Sequence, residues 1–296
     1  MFGKIRHVTI IGVGLLGGSA GLAIKARDPS VRIAGVGRRR KSLRQALDMG
    51  AIDSAHLDAA EAVGASDLII LATPVGAFES YLRAIRPHLA KGAVVVDVGS
   101  TKATVVRLAR RVLSGGRSGV PFVGSHPMAG SEHKGAAYAR ADLFEGATCI
   151  LTPTTGTPPK LLRQVEAFWR ALGARTVRMS PAVHDRTVAM ISHLPHALAA
   201  ILMTLPTDGE LSVAASGFRD ATRLASGDVE MWRDIFLTTR AEALRALGSF
   251  KKVLGRFQSL LRRGDPREIE RFLQAAKDRR DRTLLSAPHE SPRGPE

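Results

Sequence analysis

Short apolar runs alternate with amphipathic stretches as far as residue 180, and then the runs stop. Runs at 7–11, 31–36, 68–72, 93–96, 121–123, 148–151 and 175–177 are rich in Val, Ile and Leu and end in turn residues. That pattern predicts strands buried on both faces. Between them, 16–26, 41–48, 75–85, 102–112 and 159–172 carry helical spacing. Strand and helix in regular alternation predict an α/β domain of the Rossmann type, a doubly wound and largely parallel sheet. The segments 114–119 and 152–159, rich in Gly, Thr and Pro, read as surface turns.

Beyond residue 180 only helical periodicity remains, at 182–205, 210–225, 229–263 and 267–280. In the third of these, Leu244, Leu247, Phe250, Leu254, Phe257 and Leu261 recur at steps of three and four. They form one apolar stripe on a helix of about 50 Å at 1.5 Å per residue. A stripe of that length either packs inside its own domain or, the reading preferred, meets a second copy of the chain as a homodimer seam. The tail 286–296 is polar and proline-rich, and is expected to be disordered. The expected organisation is therefore a dinucleotide-binding domain (1–180), an all-α substrate and dimerisation domain (181–285) and a tail (286–296).

The first strand runs into Gly12-Val13-Gly14-Leu15-Leu16-Gly17, a G-x-G-x-x-G between strand and helix. Gly12 permits the tight turn, Gly14 lets the backbone approach a pyrophosphate, and Gly17 allows close helix–strand packing. Leu15 and Leu16 open a helix whose free N–H groups suit phosphate. An NAD site of this kind usually carries Asp or Glu at the end of the second strand to hold the ribose 2′-hydroxyl. Here that place holds Gly37, followed by Arg38, Arg39, Arg40 and Lys41. Guanidinium groups bind a 2′-phosphate bidentately, so NADP is the expected cofactor, with NAD the alternative. Thr73, at the end of the 68–72 strand, belongs near the same site or to an ordinary turn.

Charge and composition narrow the partners. The chain of 296 residues has 43 Lys and Arg against 27 Asp and Glu, a formal net charge of +16. The basic residues are scattered and aromatic residues are few, so no stacking platform for nucleic acid is expected. An anionic small molecule fits better. The single cysteine, Cys149, excludes an intrachain disulfide framework and a zinc ribbon, and no metal site is expected. No apolar stretch approaches the ~20 residues of a membrane span, and no signal-peptide core opens the chain. A cytoplasmic protein with no membrane partner is expected.

Candidate chemistry gathers in three segments. One is Asp97-Val98-Gly99-Ser100-Thr101-Lys102, at a strand end. Another is Gly124-Ser125-His126-Pro127-Met128-Ala129-Gly130-Ser131-Glu132, expected just past a strand. The helical half adds Ile191-Ser192-His193-Leu194-Pro195-His196 and Ser216-Gly217-Phe218-Arg219-Asp220-Ala221-Thr222-Arg223. A histidine beyond a strand end, beside a nicotinamide, suits proton transfer coupled to hydride transfer. Together with the glycine loop, these segments resemble the prephenate/arogenate dehydrogenase family of tyrosine biosynthesis, from residue 6 to residue 280.

The resemblance implies oxidative decarboxylation of a cyclohexadienol, prephenate or arogenate. Hydride leaves C4, the C4 hydroxyl loses its proton, and the ring carboxylate departs as CO₂. It further implies that His126 accepts the hydroxyl proton and that Ser100 orients that histidine or the hydroxyl. Arg223 would clamp a substrate carboxylate, with Asp220 orienting it or closing an ion pair. His196, Glu132 and Trp232 would line or gate the pocket, and Arg219 would serve a partner subunit or a structural ion pair. Another Rossmann-type reductase and a basic NADP-binding regulator or nucleic-acid binder are the competing readings.

Overall fold

The computed structural model describes residues 2–113, 121–130 and 135–285, with residues 284 and 285 described by their backbone alone. Glu132, the 114–119 turn and the 286–296 tail lie outside the described residues. The chain divides into two compact units, Met1–Ala243 and Leu244–Glu296.

The larger unit is built on one eight-stranded sheet. The strands are β1 His7–Ile11, β2 Arg32–Val36, β3 Ser54–His56, β4 Leu68–Leu71, β5 Val94–Asp97, β6 Phe122–Pro127, β7 Thr148–Thr152 and β8 Arg175–Arg178. Their spatial order is β3-β2-β1-β4-β5-β6-β7-β8, and only the β6–β7 pair is antiparallel. The helices among them are α1 Leu15–Arg27, α2 Arg40–Asp48, α3 Ala59–Ala62, α4 Phe78–Ile85, α5 Ala103–Leu113 and α6 Pro159–Ala171. Neighbouring residues of one strand enter different cores. Ile10 and Ile70 pack with Ile24, Ile33 and Trp169, whereas Ile11, Ile69 and Leu71 pack with Phe78, Leu82 and Val105. Burial on both faces is why these strands read as unbroken apolar runs. The doubly wound, mostly parallel sheet is as expected.

One difference bears on the site. β6 continues through Pro127, so His126 lies within the strand, opposite Ile150, rather than past its end. β6 pairs with β5 only at Phe122 and Val123, then turns its later residues to the antiparallel β7. That second partner extends the strand beyond the apolar run.

After the sheet come α7 Pro181–Val188, a π-helical turn Ala189–His193, and α8 Leu194–Met203. They form one continuous helix, Pro181–Met203, long and apolar enough by composition to cross a membrane. The expectation that no stretch approached that length is corrected here. Its residues His184, Asp185, His193 and His196 are buried within the protein, whereas Arg186 is exposed. The expected 210–225 helix is broken into α9 Asp208–Leu211, α10 Ser216–Thr222 and a 3₁₀ turn Arg223–Ser226. The expected 229–263 helix is two, α11 Val229–Thr238 and α12 Arg240–Arg263. Thr238 and Thr239 both turn their hydroxyls back onto carbonyls of the preceding turn, which bends and ends α11. With 24 residues, α12 is about 36 Å long, not 50 Å. α13 Pro266–Arg280 follows.

Candidate active site

The glycine loop has the geometry of a phosphate cradle. Gly12 has φ +103°, and a Cβ there would lie 2.6 Å from the Ala72 carbonyl oxygen. A Cβ on Gly17 would overlap the carbonyl oxygen of Gly12, so α1 packs against the loop backbone. Gly14 faces open space, with nothing within 4 Å of a Cβ position. It is also the N-cap of α1, without a side-chain cap, and no acidic residue occupies the first turn. The first N–H groups of α1, at Leu15 and Leu16, are therefore available to an anion. These residues fit a dinucleotide pyrophosphate. Arg38 and Arg39 are exposed between β2 and α2 and form no ion pair among the described residues. Thr73 is half-buried beyond β4, its hydroxyl on the Pro74 carbonyl.

At the adjoining ends of β5 and β6 lies a fully buried ion pair. Lys102 Nζ donates to Asp97 Oδ2 at 2.7 Å, to Gly99 O at 2.5 Å and to Thr101 O at 3.1 Å. Three acceptors for three protons describe an ammonium. Asp97 also accepts from the Gly99 and Ser125 amides. One carboxylate thus ties the loop bearing Ser100 to the residue before His126. Ser100 is half-buried, and its hydroxyl bonds no protein group among the described residues.

His126 is 8% exposed, and its Nδ1 lies 2.8 Å from His184 Nε2. His184 is fully buried, with Nδ1 2.8 Å from Asp185 Oδ1. Asp185 accepts from the Lys102 amide at 2.7 Å and the Ala103 amide at 2.9 Å, at the start of α5. Burial pushes the His126 imidazole well below its usual range, and the Lys102 charge adds to this. The His126 imidazole is therefore neutral at pH 7. Burial alone would raise the Asp185 carboxyl, but the bonds from His184 and the two amides outweigh it and hold the group ionised.

Further along the same helix, His193 donates or accepts through Nδ1 at 3.2 Å from Thr239 Oγ1, while its Nε2 is buried without a partner. Burial lowers its pKa to about 4. His196 stacks on Trp232, ring centroids 3.5 Å apart and planes 11° from parallel. Trp232 contacts Phe236 and the edge of His193, completing an aromatic wall. The 3₁₀ turn headed by Arg223 packs against α8, the helix of His196. Arg219 and Asp220 are exposed on α10. Asp220 forms no ion pair among the described residues; α10 ends at Thr222, and Arg223 begins a tighter turn. The expected site residues thus fall into a cofactor loop, a strand-borne histidine and a helical wall.

The family model for the prephenate dehydrogenase nucleotide-binding domain matches residues 20–178. That for the prephenate dehydrogenase dimerization domain matches 180–275. The chain belongs to the prephenate dehydrogenase family. A prephenate dehydrogenase of Bacillus subtilis is 36% identical over 281 residues, 93% of this chain and 75% of that protein. Among solved structures, the A. aeolicus prephenate dehydrogenase complex with hydroxyphenyl propionate and NAD+ superposes with a TM-score of 0.86 at 33% identity. It covers 94% of this chain and 98% of that one. Synechocystis arogenate dehydrogenase follows with a TM-score of 0.79 at 30% identity, over 93% and 99%. The family resemblance read from the motifs therefore holds, and the chain is a nicotinamide-dinucleotide-dependent dehydrogenase.

Sequence reasoning missed His184 and Asp185, which the structure places beside His126. An available signal was an adjacent His-Asp one turn into a helix opened by Ser180-Pro181. Asp97 and Lys102 stood inside a quoted motif, but their pairing in the interior was not legible.

Proposed function

We propose that this chain oxidatively decarboxylates prephenate to 4-hydroxyphenylpyruvate, with NADP as preferred hydride acceptor, as a homodimer. The observation that carries the reading is His126: a buried, neutral imidazole whose Nδ1 is engaged, leaving Nε2 for a substrate hydroxyl. A general base must hold its proton-accepting nitrogen free at working pH. Nε2 takes the C4 hydroxyl proton, and Ser100, whose hydroxyl bonds no protein group among the described residues, steadies that hydroxyl. Arg223 presents a planar fork to a carboxylate of the dianionic substrate. His196, neutral because burial lowers its pKa, can donate to the pyruvyl keto oxygen. The bound nicotinamide supplies the hydride acceptor. Loss of CO₂ yields an aromatic ring and makes the reaction irreversible.

The NADP preference rests on Arg38 and Arg39, exposed and without ion pairs among the described residues, where an NAD site would carry a carboxylate. The homodimer rests on the match of 180–275 to a dimerization domain. The likeness to arogenate dehydrogenase supports arogenate as the second substrate to try.

The test is formation of reduced nicotinamide from prephenate and arogenate, each with NADP and NAD. The highest kcat/KM is expected for prephenate with NADP. Turnover of neither dienol overturns the reading, and a clear NAD preference removes the role of the arginines. His126→Asn should lower kcat by roughly 10³-fold with cofactor affinity unchanged.

A further inference from the structure

Asp185 is the one member of the His126–His184–Asp185 chain whose hydrogen-bonding role is not ambiguous. It is ionised, so it only accepts. Its two oxygens already receive the Lys102 and Ala103 amides at the start of α5, and Oδ1 also faces His184 Nδ1 at 2.8 Å. His184 must therefore carry its proton on Nδ1, which leaves Nε2 as a lone pair. That lone pair faces His126 Nδ1 at 2.8 Å, so His126 must carry its own proton on Nδ1. Each bond dictates the next, and the chain ends with a bare Nε2 on His126.

We infer that His184 and Asp185 are positioning residues that fix the tautomer of His126 and stabilise the positive charge it gains when it takes a proton. The inference rests on His126 being the base. During the reaction the substrate O–H bond breaks and its proton joins His126 Nε2, while the O–H electron pair stays on oxygen to become the carbonyl. His126 then bears a full positive charge, and its Nδ1–H bond to His184 strengthens. The Asp185 carboxylate answers that charge through the His184 ring, with no second proton transfer. The compensation is needed because every other feature near His126 opposes protonation. Burial and the Lys102 ammonium disfavour the imidazolium, while Asp97 is occupied by Lys102 and two amides. His193, another titratable neighbour, is itself neutral at pH 7, and Cys149 beside the His126 backbone is held as a neutral thiol by burial.

The fold supports this reading. Asp185 occupies the position where a side-chain cap of α5 would sit, and it comes from α7. The same carboxylate therefore anchors α7 to the start of α5 and orients the relay. In Asp185→Asn, the amide still accepts from an α5 amide but donates to His184 Nδ1. His184 then protonates at Nε2, His126 loses its Nδ1 proton, and Nε2–H faces the substrate.

The test uses the full chain labelled with ¹⁵N-histidine, with the tautomers read from two-bond nitrogen–proton correlations at neutral pH. The wild type should show His126 and His184 both protonated at Nδ1, and Asp185→Asn should move both to Nε2. An Nε2–H tautomer of His126 in the wild type overturns the inference. Kinetics supply a second arm. His184→Leu removes the acceptor and should lower kcat by about 100-fold or more with KM little changed. His184→Gln, whose carbonyl can still accept from Nδ1 but which no longer links that proton to Asp185, should recover most of that loss with the acid limb of its kcat profile moved to lower pH. Unchanged kcat in His184→Leu also overturns the inference. The spectra require no substrate, so failure to turn over prephenate would leave them intact, whereas a wrong tautomer would leave turnover standing and remove the relay.

Discussion

A single hydrogen atom marks how tightly the aromatic wall is assembled. A Cβ on Gly227 would lie 2.6 Å from Trp232 Nε1 and 2.8 Å from His196 Cε1. The chain passes edge-on against the stacked pair there, just after the turn that carries Arg223. Gly227→Ala should therefore separate His196 from Trp232 and raise KM for prephenate about tenfold, about 1.4 kcal/mol of binding, with a smaller effect on kcat. Steady-state kinetics decide it, and an unchanged KM would mean that the stack does not shape the pocket. Legibility at this scale was uneven. Gly12, Gly14 and Gly17 were readable because a tight turn, a close approach and a packing contact each demand glycine in a local order. His126 was readable as chemistry but not as part of a relay, since His184 lies 58 residues away in sequence. Local spacing carries no information about such a partner.

Between elements, the decisive joint is the one where β5 and β6 are tied by Asp97 and Lys102. Both side chains are fully buried. Removing one partner of such a pair strands a charge in the interior, at a cost of about 3–5 kcal/mol. Lys102→Met and Asp97→Asn should each destabilise the protein by that order, and the double variant should cost clearly less than their sum. Denaturant unfolding of the four proteins forms the cycle; strict additivity would show that the two groups do not interact. The apolar strands β1, β4 and β5 were legible because burial on both faces leaves a continuous run. β3 and α3 were not: Ser54-Ala55-His56 is three residues long without an apolar run, and α3 is one turn of Ala and Glu. The break between α11 and α12 escaped because periodicity runs on through Thr238 and Thr239. What ends the helix is the direction of two hydroxyls.

Over the whole molecule, buried histidines set the response to acid. His126, His184, His193 and His196 all have pKa values lowered first of all by burial. In the unfolded chain each titrates near 6.5. The unfolded state then binds more protons than the folded one, so the stabilisation present above about pH 6.5 is lost as pH falls toward the folded values. For His193, lowered to about 4, the loss is on the order of 3 kcal/mol once pH is below that value. Unfolding free energy should drop steeply between pH 7 and pH 4, and His193→Leu should flatten the slope; a pH-independent free energy in the wild type would contradict the burial. Asp185 adds a consequence of another kind. Its carboxylate grows on the helix that follows the nucleotide-binding segment, yet it caps α5 inside that segment and orients the base there. The two halves are consequently not interchangeable modules: a nucleotide-binding half cut free after residue 178, or grafted onto a foreign helical partner, would keep its glycine cradle and still carry a histidine with no instruction about where to hold its proton.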